Sequence, residues 1–155
     1  MLKLSLSSAF DFESGYRTLL DAILEELPKY NCLVKPRSFS NDVGQYEKYF
    51  ENIGSFKEDL DLLVYPPCNE LNFNNFIFFL NPHKRRVHFT MWESSRINDI
   101  FIEQMNNMKA VIVPNKWNKA NFEAQGCEVS IHVVNLFVDT EIFNYQPPVA
   151  KDHFV

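Results

Sequence analysis

RVHFTMWESSRINDIFIEQMNNMKAVIVPNKWNKANFEAQGCEVSIHVVNLFVDTEIF, residues 86–143, decides the fold. Arg86 to Met91 is a short run of apolar, β-branched and aromatic residues, the composition of a buried strand. Trp92-Glu93-Ser94-Ser95 follows, and either serine can cap a helix. Ile97, Ile100, Phe101, Met105 and Met108 then recur at helical spacing as one apolar stripe. Ala110 to Val113 reads as a second buried strand. Pro114-Asn115 breaks it and caps a further helix, along which Trp117, Ala120 and Ala124 face one way. Gly126 stands where a helix-ending glycine belongs, and Ile131 to Val134 is a third strand. Strands alternating with helices predict a parallel sheet with right-handed crossovers. Ligands of such sheets bind beyond the carboxyl ends of the strands. A site is therefore expected on three loops: Trp92 to Ser95, Pro114 to Lys116, and Asn135 to Thr140.

Working outward, Leu2 to Leu6 alternates apolar with polar and reads as the first strand. Tyr16, Leu19, Leu20, Ile23, Leu24 and Leu27 then mark an amphipathic helix ended by Pro28, with Ser14 as its cap. Its N-terminus offers free N–H groups and a positive dipole end to an anion. Gly15 serves such a site or simply eases entry to the helix, and no GxGxxG fingerprint is present. Cys32 to Lys35 and Leu60 to Tyr65 are further strands. Tyr46, Tyr49, Phe50 and Ile53 suggest a short helix between them. Phe76 to Leu80 reads equally as a strand or a buried helical turn. The whole is an α/β protein, a three-layer Rossmann-like domain with a mainly parallel sheet over residues 1–145.

At 155 residues, with 46% hydrophobic and 15% aromatic content, the chain can bury a core of ordinary domain size. Its net charge of −5 speaks against a nucleic-acid binder, which presents a basic face. Lys84-Arg85-Arg86, the one basic cluster, reads as a solvated turn. Three cysteines without a CxxC pair read as reduced thiols of a cytoplasmic protein. No apolar run approaches the roughly 20 residues needed to cross a bilayer. His83, His88 and His132 do not share a ligand spacing, and no metal is expected. No nucleophile elbow or Walker loop occurs.

The segment from TMWESSR through VIVPNKW to IHVVNLFVDTEIF resembles the end of the N-terminal domain of family 4, GT-B-type glycosyltransferases. That family carries a WE[ST]-like turn, then a VIVPS-x-[WF] strand and turn, then a helix ending in glycine. An I-x-VVPLGVD-x-x-x-F run follows. SGYRTLLDAIL is similar to the family's opening loop and helix. Here Asn135 and Phe137 replace the family's proline and glycine. Glu93 stands where many members place a histidine after the fourth strand. The resemblance implies sugar transfer from a nucleotide-sugar donor to a carbohydrate or other hydroxyl acceptor, without a metal or other cofactor. Glu93 would be the acid–base or polarising group, and Ser14, Gly15 and Tyr16 would lie by the diphosphate. A GT-B enzyme needs a second domain that holds the donor, and that domain's acidic signature is not found here. Residues 146–155 are expected to be a linker and the stub of such a domain, leaving this chain inactive alone. The second domain would come from a longer chain, a partner or an oligomer. Two alternatives stand beside this: a non-catalytic binding or interaction domain derived from such an enzyme, and an unrelated doubly wound anion binder.

Overall fold

The computed structural model describes residues 1–8, 15–38, 46, 49, 57–66 and 85–137. Six strands build one sheet: β1 (Leu2–Ser8), β2 (Cys32–Ser38), β3 (Leu60–Val64), β4 (Arg86–Phe89), β5 (Ala110–Val113) and β6 (Ser130–Val133). Their spatial order is β2-β1-β3-β4-β5-β6, and every neighbouring pair is parallel. Among the described residues three α-helices flank it: α1 (Gly15–Glu26), α2 (Asp99–Asn106) and α3 (Lys116–Ala124). This is a three-layer Rossmann-like α/β fold.

The chain first steps outward from β1 to β2, then returns past β1 to β3 and advances to β6. A crossover of one hand therefore places α1 on one face of the sheet and α2 and α3 on the other. Two cores follow. Leu19, Leu20 and Leu24 of α1 pack with Leu4, Leu6, Val34, Leu62 and Phe89. Ile102 and Met105 of α2 and Phe122 of α3 pack with Val111, Val113 and Ile131. The β5 and β6 half of this second face is apolar, as a covered parallel sheet requires. Its β1, β3 and β4 half is polar: Ser5, Ser7, Asp61, Arg86 and His88 are all buried. Arg86 Nε lies 3.8 Å from Asp61 Oδ2 across adjacent strands.

Local chemistry sets the element ends. A 3-10 turn, Leu27–Tyr30, takes over from α1 with Pro28 in its first positions. Asn31 then adopts a left-handed conformation, φ 59°, which its short polar side chain tolerates. β1 and β2 run on to Ser8 and Ser38, beyond their expected ends at Leu6 and Lys35. Pro36 fits in β2 because this is an edge strand. β4 ends at Phe89, two residues before Met91. Neither Ser94 nor Ser95 caps α2. Asn98 does so, its side chain accepting from Ile100 N–H at 3.1 Å. Asn115 caps α3 as expected, accepting from Asn118 N–H at 2.8 Å. Gly126 ends that helix region at φ 95°. Trp117, Ala120 and Ala124 do share a face of α3, but it is the exposed one; Asn118 and Phe122 point inward.

Tyr46 is buried in the α1 core, with the Tyr49 ring 6.4 Å away. Ser14, Phe76 to Leu80, most of the expected helix around Tyr46, and everything from residue 138 on lie outside the described residues. Among the described residues no helix is long and apolar enough to cross a membrane.

Candidate functional site

Three loops meet at the carboxyl ends of β4, β5 and β6. They enclose an open cleft of about 510 Å³. Met91, Trp92 and Glu93 come from the first loop, and Pro114, Asn115, Trp117 and Asn118 from the second loop and the start of α3. Asn135 and Leu136 complete it beyond β6. These are the three loops that the alternation of strands and helices singles out.

The Glu93 loop is tightly built. Trp92 N–H donates to Asn118 Oδ1 at 2.8 Å, and the Trp92 indole N–H donates to the Arg96 carbonyl at 2.8 Å. The Trp92 ring meets Phe101 edge-on, centroids 5.7 Å apart. Ile97 closes the loop as a buried plug in the α2–α3 core. Glu93 itself is exposed at the cleft wall. Among the described residues its carboxylate makes no hydrogen bond or ion pair.

Of the turn expected beside the diphosphate, Gly15 opens α1 and Ser14 is outside the described residues. The Tyr16 hydroxyl accepts from Met91 N–H at 3.2 Å, which ties the first turn of α1 to the loop that carries Glu93. Burial raises the Tyr16 phenol above its ordinary value, and the Glu93 charge adds to this against hydrogen bonds from Thr90 and Met91. Tyr16 and Glu93 therefore share one rim of the sheet. Tyr16 enters as a brace for the loop.

Sequence reasoning puts Asn135 on the expected rim but passes over Trp117 and Asn118 as site residues. Trp117 is half exposed on the cleft wall, a flat apolar surface. Asn118 is 3% exposed and links both inner loops. Its signal is its spacing from Asn121 and Gln125, three polar amides on one stripe of a helix. Asn135 breaks the run after β6 and presents an amide to the same space. The cleft thus offers two indoles, several neutral amides and one free carboxylate. Among the described residues no three His, Cys, Asp or Glu side chains cluster as metal ligands.

No protein-family model and no curated protein matches the chain.

Proposed function

We propose that this domain is the acceptor-side half of a GT-B-type glycosyltransferase, moving a sugar from a nucleotide-sugar donor to a hydroxyl acceptor in combination with a donor-binding domain. The observation that carries the reading is an exposed carboxylate, Glu93, lining with Trp92 and Trp117 one cleft on the carboxyl rim of a parallel sheet. The chemistry fits a saccharide. Indole faces pack against the C–H faces of a sugar ring. The Asn135 amide offers both a donor and an acceptor, as hydroxyl groups demand, and Asn115, whose Oδ1 is taken by Asn118, adds its Nδ2 donor. The resemblance of residues 86–143 to the family supports the same assignment.

In this reaction the acceptor oxygen bonds to the anomeric carbon while the bond from that carbon to the diphosphate oxygen breaks. The acceptor proton needs a base, and Glu93 supplies one, or its charge stabilises the cationic sugar. The diphosphate leaves with the electron pair, its charge met by helix N-termini such as that of α1 and by the second domain. No metal or other cofactor is required of this half.

The test has two parts. The chain alone, given UDP-glucose or GDP-mannose with a saccharide acceptor, turns over little or nothing, while saccharides perturb its tryptophan fluorescence. In a protein joining it to a donor-binding domain, Glu93→Gln lowers kcat by about 10²–10⁴-fold. Vigorous turnover by the isolated chain rules out the half-site, and an unchanged rate removes Glu93 from the chemistry.

One observation favours a non-catalytic docking role instead: Val134, Leu136 and Phe137, with Trp117, are each about half exposed on the same rim. Self-association in sedimentation that is abolished by Phe137→Ser, without any saccharide response, selects that reading.

A further inference from the structure

We infer that α3 holds the Trp92–Ile97 loop in its cleft-facing conformation through a row of side-chain amides, making Asn118 and Gln125 positioning residues for Glu93. This rests on the cleft being the working site. Asn118, Asn121 and Gln125 lie three and four positions apart, one stripe along α3 and its cap. All three reach the backbone of the same loop. Trp92 N–H donates to Asn118 Oδ1 at 2.8 Å. Asn121 Nδ2 donates to the Ser94 carbonyl at 3.0 Å, and Gln125 Nε2 to the Ser95 carbonyl at 3.1 Å. Ile97 N–H donates to Gln125 Oε1 at 2.6 Å.

The amides are themselves held. Asn115 Oδ1 accepts from both the backbone N–H and the side-chain Nδ2 of Asn118, at 2.8 and 3.2 Å. That fixes the Asn118 amide with its oxygen toward Trp92. Gln125 Nε2 also donates to Asn121 Oδ1 at 2.8 Å, which fixes Gln125 with its oxygen toward Ile97. An amide suits this task because it carries a donor and an acceptor and no charge to desolvate. The loop between the two anchors is thereby fixed at Trp92, Ser94, Ser95 and Ile97. Glu93, between two of these anchors, keeps its side chain exposed at the cleft wall. A carboxylate on a braced backbone meets a ligand without first losing conformational freedom.

Amide hydrogen exchange followed by NMR tests the clasp on the chain without any ligand. Gln125→Leu removes both of its bonds to the loop, and the Ile97 amide exchanges about tenfold faster. Gln125→Glu keeps the acceptor, so the Ile97 amide stays close to its wild-type rate. Asn118→Leu and Asn118→Asp behave as the same pair at Trp92, and where the buried Asn118 variants do not fold the Gln125 pair decides. In every variant the amides of β5 keep their rates. An unchanged Ile97 rate in Gln125→Leu, equal acceleration in both Gln125 variants, or β5 exchanging faster in step with the loop overturns the inference. A chain that shows the expected exchange pattern yet responds to no saccharide and supports no transfer overturns the proposed function and leaves the clasp standing.

Discussion

His88 shows at the scale of one residue what burial does to a titratable group. Burial pushes its imidazole down from 6.5 to about 4, against the hydrogen bond between Nε2 and the Tyr65 carbonyl. Between those values the unfolded chain binds a proton that the folded chain refuses. The stabilisation is complete above pH 6.5 and declines as pH falls toward 4, by about 3 kcal/mol in all. Urea unfolding across that range should show a steeper loss for the wild type than for His88→Gln. Asp61 and Arg86 make a second case. Burial lowers the Arg86 value, and the facing Asp61 charge works the other way. Asp61→Ala, which removes the charge facing the guanidinium, is expected to cost about 1–3 kcal/mol of unfolding free energy. The pair Asp61→Leu and Arg86→Met together should recover most of it. None of these partners was legible in the sequence. Alternation in LKLSLSS marks which residues share a face, but not that Asp61, Arg86 and His88 line up beside them on other strands.

At the scale of one element, α3 separates what spacing reveals from what it hides. Its start was plain, because Pro114-Asn115 stops β5 and caps the helix. Asn115→Ala should cost about 1 kcal/mol in thermal or urea unfolding. Its inward face was not plain. Trp117, Ala120 and Ala124 form the more apolar stripe, yet Phe122 is the residue fully buried against Val113 and Ile131. Phe122→Ala should cost about 3–5 kcal/mol, whereas Ala120→Ser should stay within about 0.5 kcal/mol. The stripe misleads because the indole of Trp117 lines the cleft and not the core. The α2 cap was misplaced for a related reason. Ser94 Oγ accepts from Arg96 N–H at 3.4 Å within the loop, so the capping task falls to Asn98 four residues later.

The whole molecule was the most legible scale, since strand–helix alternation and crossover handedness leave few topologies open. The parallel sheet, its carboxyl rim and the three loops of the cleft all follow from that alternation. The location along the rim does not. The strand order reverses between β1 and β3, the usual place for a ligand crevice, while the cleft lies over β4, β5 and β6. Tyr16 spans the distance with its hydrogen bond to Met91. Tyr16→Phe should therefore weaken the protection of the Met91 amide several-fold in hydrogen exchange while sparing β6.

β1 lies inside the sheet although it precedes the other strands in sequence, and this bears on folding order. Ser7 must wait for Leu63 before its inner neighbour exists, whereas Val113 needs only Val133. Closing the longer loop is slower. β5 and β6 should gather first and β1 join last, its apolar side chains waiting for their slot. Pulse-labelled refolding should find β5 and β6 shielded before β1. A chaperone that grips β1 until then would help most.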